Sequence, residues 1–199
     1  MMKKKAESPM GALLGGIPLG MGRTIHFNKQ VDQVTIGAVT EQILAINADD
    51  EALKKIYKLN DLKYKPEPIE IYIDSYGGYV YQILGLVSVM AKSKTPIHTI
   101  CTGAAMSCGF VMLICGHKRF AYELATPMYH QVSSGAIGTM KSMEEDVAEG
   151  KRLQKILEKI TLENTKISKK KLKKIYDTKF DWFMTSKKAL KLGVIDEII

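Results

Sequence analysis

Ile69-Glu-Ile-Tyr-Ile-Asp-Ser-Tyr-Gly-Gly78 is the stretch from which the fold can be read. Isoleucines at 69, 71 and 73 alternate with more polar neighbours, the period-two pattern of a strand with one buried face. The run stops at Ser75-Tyr-Gly-Gly78, a turn signal, and helical periodicity follows over 80–91. The same design then recurs. Ile97-His-Thr-Ile-Cys101 is β-rich, Thr102-Gly103-Ala104 reads as a turn, and 105–115 reads as a helix. Two consecutive strand–turn–helix units imply a right-handed, parallel α/β arrangement, because a twisted strand feeding a helix packs back on its sheet only with that hand.

Outward from this centre, a short strand is expected from Thr24 and a helix over 39–47, with Val39, Ile43 and Ile46 facing inward. The lysine-rich residues 51–67 read as a helix end and loop. Towards the C-terminus, 118–122 and 127–132 read as strands, and an amphipathic helix covers 141–164 with Val147, Leu153, Ile156, Leu157 and Ile160 on one stripe. A basic helix from Ser168, a short helix over 186–192 and a strand over 194–198 complete the chain. Residues 1–22, basic and then glycine-rich, are expected to form a flexible arm, and 23–199 a single domain.

Composition narrows the function. A chain of 199 residues with 46% hydrophobic content can bury the core of one domain, which excludes disordered and collagen-like classes. Cys101, Cys108 and Cys115 are an odd number in one apolar stretch, which is no disulfide framework and points to a reducing, cytoplasmic compartment. The net charge of +8 raises the question of nucleic acid. Its excess is lysine spread over 3–5, 54–65 and 166–174, with little arginine or interleaved aromatic to read or stack bases, so it reads as a solvated face and no nucleic-acid partner is expected. The longest apolar run, 100–115, is shorter than the ~20 residues a bilayer span needs, so no membrane segment is expected. The arm imitates a signal peptide, but glycines and prolines break its apolar part.

Both glycine turns would deliver main-chain N–H groups at the start of a helix, where unpaired donors stabilise developing negative charge. Gly77 and Gly78 leave room for a substrate carbonyl against the backbone. The turn lacks the pattern of a phosphate-binding or dinucleotide loop, and a Gly-Gly after a strand is also simply a tight turn. Ser107, within Gly103-Ala-Ala-Met-Ser-Cys-Gly109, would sit at a helix start with the Cys108 N–H beside it, a position that serves a nucleophile or a cap. The lipase-type elbow is absent, since Ala105 stands two residues before the serine. Of the four histidines, His130 is the best-placed base: it ends a strand and precedes the loop 131–138, whereas His98 is mid-strand and His117 lies beside Lys118 and Arg119. A structural strand histidine has the same pattern. Asp181, between Phe180 and Trp182, is a carboxylate in an apolar setting that needs a partner, or else a helix cap.

Taken together, Ser75-Tyr-Gly-Gly78, the run Ile-Cys-Thr-Gly-Ala-Ala-Met-Ser-Cys-Gly109, Met128-Tyr-His-Gln131 and Asp181-Trp-Phe-Met184 resemble, in order and spacing, the motifs of the Clp protease proteolytic subunit. The resemblance implies an α/β ClpP/crotonase-like fold of repeated ββα-type units with a protruding handle helix, here 141–164. It implies a serine endopeptidase with Ser107 as nucleophile, His130 as base, Asp181 as orienting acid, and the N–H groups of Gly78 and Cys108 as oxyanion hole. It further implies polypeptide substrates, a homo-oligomer of two stacked heptameric rings, and no cofactor or metal, ATP being used only by a partner Clp-type ATPase that would dock at Tyr72 and Phe120. Departures are visible. The family usually has Pro at the place of Tyr76 and Asn at that of Asp74, and aromatic residues where Glu70 and Lys92 stand. Alternatives are a phage-type head-maturation protease without an unfoldase, a crotonase-like acyl-CoA enzyme, and a ring subunit without activity.

Overall fold

The computed structural model describes residues 22–199. The arm expected over 1–22 lies, except for Gly22, outside the described residues.

Strand β1 (Thr24–Phe27) leads into helix α1 (Gln33–Leu59), which starts at a capping box: the Asp32 carboxylate accepts the Thr35 N–H at 2.8 Å, and Thr35 Oγ1 accepts the Asp32 N–H at 3.1 Å. The helix is far longer than the expected 39–47. Its inward positions Ile36, Val39, Ile43, Ile46 and Asp50 continue one stripe at alternating spacings of three and four, and the lysine-rich turns beyond are made of good helix formers. Strand β2 (Ile69–Ser75) follows, then helix α2 (Val80–Lys92), both close to expectation.

Strand β3 (Ile97–Met106) corrects the reading of its own turn. Residues 102–104 are strand, and helix α3 (Cys108–Ile114) starts three residues later than expected. The glycine here permits a close approach of chains. A Cβ on Gly103 would lie 2.7 Å from Asp74 Oδ1, and the Asp74 carboxylate accepts the Ala104 N–H at 2.8 Å. The remaining elements are β4 (Lys118–Ala121), β5 (Thr126–Tyr129), α4 (Met140–Asn164), α5 (Lys169–Thr178), β6 (Trp182–Phe183), α6 (Ser186–Lys191) and β7 (Glu197–Ile198).

The sheet runs β1-β2-β3-β4-β7, all neighbours parallel, as two strand–turn–helix units demand. β3 serves two partners. Its first half pairs with β4 (Cys101↔Ala121) and its second half with β5 (Met106↔Met128), while β6 joins β5 antiparallel. A register irregularity in β2 between Ile73 and Ser75 accompanies this divergence. One face of the sheet is fully buried, with Ile69, Ile71 and Ile73 packed among Ile43, Ile83, Leu86 and Phe110. Truncating such an isoleucine to alanine costs ~2–5 kcal/mol. The core therefore fixes the C-terminal ends of β2, β3 and β5, where the candidate site lies.

The stripe of α4 is shorter than its sequence indicates. Leu153, Gln154, Leu157 and Thr161 are buried, whereas Val147 and Met140 are exposed, so the N-terminal half projects from the body. Among the described residues no helix is long and apolar enough to cross a membrane.

Candidate active site

The turn after β2 is held from behind by Val31. Its N–H donates to Gly77 O and its carbonyl accepts the Tyr79 N–H, both at 2.8 Å. Ser75 Oγ secures the near side by accepting the Gly77 N–H at 3.2 Å and donating to Lys29 O. Alternation along an extended chain then turns the polar groups of Gly78 away from Val31. The Gly78 carbonyl accepts the Cys108 Sγ–H at 3.2 Å, and its N–H donates to no other group among the described residues. Glycine is obligatory at both positions. Gly77 has φ +101°, and a Cβ there would meet Ser107 Cβ at 2.7 Å; Gly78 has φ +153°, and its Cβ would meet Val31 O at 2.2 Å.

Ser107 sits on the sharp corner between β3 and α3 with φ 53° and ψ −119°, in the left-handed half of the map that non-glycine residues enter at ~1–3 kcal/mol. Its N–H is tied to Met128 O at 3.0 Å, so β5 holds the corner. The side chain makes no capping hydrogen bond, which removes the reading of Ser107 as a cap. Instead Oγ lies 2.8 Å from His130 Nε2. The Cys108 N–H opens α3, where a helix has no internal partner for it. Cys108 itself is no rival nucleophile: burial pushes its thiol up to about 11, so at neutral pH it is a protonated donor.

His130 follows β5, with its side chain 24% exposed. Its Nδ1 lies 3.4 Å from Asp181 Oδ1, an ion-pair distance rather than a tight hydrogen bond. Asp181 stands between α5 and β6, and β6 pairs with β5 through Tyr129↔Trp182, which brings it beside the base. The apolar setting expected for it is corrected. Trp182 is buried, but Phe180 points outward and the Asp181 carboxylate is 58% exposed. Ser107, His130 and Asp181 thus form one contiguous row, and Gly78 and Cys108 flank the serine. A recess of ≈ 40 Å³ opens between Gly78, Ser107 and His130, walled by Val80, Val111, Tyr129, Val132 and Leu157.

The two residues expected to dock a partner lie elsewhere, on the open face of the sheet. Register places His26, Tyr72, Ile100 and Phe120 in one row across β1 to β4. Tyr72 stacks on His26 with ring centres 5.3 Å apart, and Lys118 lies 4.7 Å over Phe120. Glu70 belongs to the adjoining row with His98 and Lys118, and it accepts the Tyr72 hydroxyl at 3.3 Å. Lys92 ends α2, exposed.

A model of the Clp protease family matches residues 18–199. The chain belongs to the Clp protease family. Among curated relatives, the ATP-dependent Clp protease proteolytic subunit of Deinococcus radiodurans is 36% identical over 143 residues, 71% of this chain and 69% of that protein. The proteins of the same name from Bacteroides fragilis and Bacteroides thetaiotaomicron are each 32% identical over 184 residues, 91% of this chain and 81% and 76% of theirs. With the family come its activity class, a serine peptidase and hence a hydrolase, and its α/β fold with a long handle helix, here α4.

Sequence reasoning missed several supports of this site. Val31, Ser75 and the Met128 carbonyl position the turn and the corner, the Cys108 thiol holds Gly78, and Gln154 bonds to the segment carrying His130. Ser75, two residues before the Gly77 N–H that it accepts, is the one with a local signal, a hydroxyl at a turn.

Proposed function

We propose that the chain is the proteolytic subunit of an ATP-dependent Clp protease in which Ser107 is the nucleophile, His130 the general base and Asp181 the group that orients the base. The observation that carries this reading is the 2.8 Å contact between Ser107 Oγ and His130 Nε2 on a strained corner. The neutral imidazole takes the serine proton as Oγ attacks a peptide carbonyl, and Asp181 favours the tautomer with its proton on Nδ1. The oxyanion lies between the Gly78 and Cys108 N–H groups, which needs no reorganisation because both chains are fixed from behind. The imidazolium then protonates the leaving amine, and water attacks the acyl-enzyme by the same route in reverse. Gly77 and Gly78 let an extended substrate lie against the main chain.

Residues 23–199 act as one peptidase domain without a cofactor, in a homo-oligomer of stacked rings whose contacts use the exposed apolar residues of the projecting half of α4, Met140 and Val147. The relatives' name pairs the subunit with an ATP-dependent protease, and a Clp-type ATPase would meet the half-buried rings of Tyr72 and Phe120, which flank the buried Ile100. Glu70 and its row give that face charge as well as aromatic surface, so partner loops with a polar position beside their apolar anchor fit best. The test is hydrolysis of a fluorogenic peptide by the assembled protein. Ser107→Ala and His130→Ala should each abolish it, by up to ~10⁶-fold; hydrolysis that survives Ser107→Ala would refute the assignment.

A further inference from the structure

Gln154 is a primary amide buried in the apolar stripe of α4, only 5% exposed between Leu153 and Leu157. A buried amide without partners is costly, so its bonds define its reason for being there. Oε1 accepts the Val132 N–H at 2.8 Å, and since a backbone N–H can only donate, this bond fixes which way the amide is turned. Nε2 donates to Glu158 Oε1 at 2.9 Å and, more weakly, to the Tyr129 hydroxyl at 3.4 Å. Tyr129 in turn packs edge-on to Phe110 of α3, ring centres 5.7 Å apart. One side chain of the long helix therefore grips the main chain two residues after His130 and the side chain one residue before it. The grip matters because β5 ends at Tyr129 and the residues 130–138 form no helix or strand.

From this geometry, and resting on the triad proposed above, we infer that Gln154 is a positioning residue: by holding Tyr129 and Val132 it keeps His130 Nε2 within reach of Ser107 Oγ. It touches neither the serine nor a substrate, so its loss acts on the reaction step and not on substrate affinity. A displacement of the base by ~1 Å is enough to cost ~10²-fold in rate.

The pair can be removed or reversed. Gln154→Met keeps the volume and loses every bond. Gln154→Glu combined with Glu158→Gln restores an acceptor for Val132 and a donor from position 158, with unchanged total charge. The rate of Ser107 modification by a fluorophosphonate, the kcat and KM for a fluorogenic peptide, and hydrogen exchange at the Val132 amide are measured on the full chain, with thermal melts to establish folding. Gln154→Met should slow modification and kcat by ~10–10²-fold with KM within about twofold, and should speed Val132 exchange; the double variant should recover both. Modification by Gln154→Met at the rate of the unaltered protein, or a double variant that melts normally but stays as slow as Gln154→Met, overturns the inference. Should the unaltered protein itself resist modification, the triad assignment fails, and unchanged Val132 exchange in Gln154→Met would then overturn the tether separately.

Discussion

Of the aspartates that face a basic side chain, Asp50 and Asp181 have opposite surroundings. Asp50 lies on the inner stripe of α1 with 6% exposure and accepts from Arg23, Tyr64 and Thr95. Burial alone would push its pKa up, but the hydrogen bonds from Arg23, Thr95 and Tyr64 outweigh burial and hold it below the usual carboxylate range. Tyr64, half-buried beside the carboxylate, is pushed up to about 12 by desolvation and stays a donor. Among the described residues Asp181 has one partner, His130 at 3.4 Å, and its carboxylate is 58% exposed. The first arrangement locks β1, α1 and the segment before β2 together with every lone pair committed. The second leaves room for a base to gain and lose a proton without disrupting packing. Rigidity in this fold is thus placed behind the site, in the Asp50 cluster and the Val31 clamp, while the Asp181 carboxylate is lightly held.

Substitutions at the two aspartates separate stability from activity. The largest effect expected is on catalysis: Asp181→Asn should lower kcat by ~10²–10⁴-fold, because the amide favours the wrong imidazole tautomer. Its melting temperature should stay within about 2 °C, and a large fall would break the comparison. Asp50→Ala should do the reverse, losing about 3–5 kcal/mol of stability by stranding Arg23 in a half-buried site. At ~2–4 °C per kcal/mol for a chain of this size, calorimetry would show it clearly, while activity per folded molecule is retained. Gly78→Ala sharpens the contrast from the oxyanion side. Its Cβ would lie 2.2 Å from Val31 O, so the clamp must open, and kcat should fall by ~10²–10³-fold in steady-state assays.

The smallest effect concerns acid. Asp50 has a folded pKa depressed below its unfolded value of ~3.9, so its contribution is fully present above pH ~4 and is lost as pH falls through the folded value. Urea unfolding at pH values from 5 down to 2 should show stability falling with acid, and Asp50→Asn should flatten that slope.

The centre of the fold was legible in residues 69–78 because a period-two isoleucine run ending in Gly-Gly has few other readings. The length of α1 was not. After Ile46 the next inward position is Asp50, which belongs to the stripe only through partners 27 and 45 residues away in the chain. Gly103 was misread because glycine marks a turn and a close chain approach alike, and the contact with Asp74 that decides between them is tertiary. The row Ser107, His130, Asp181 could be drawn from motif order, yet the exposure of Asp181 could not, since Phe180 and Trp182 on either side point in different directions. Gln154 was invisible: a glutamine among lysines on a helix reads as surface until the N–H it accepts is located.

The proposed peptidase activity depends most directly on Ser107 being activated by His130. Mass spectrometry of the assembled protein after exposure to a fluorophosphonate, beside Ser107→Ala and His130→Ala, reads that activation as a covalent mark. A single adduct mapped to Ser107 and lost in both variants is the expected result. An adduct elsewhere, or one at Ser107 that forms equally fast without His130, would contradict it.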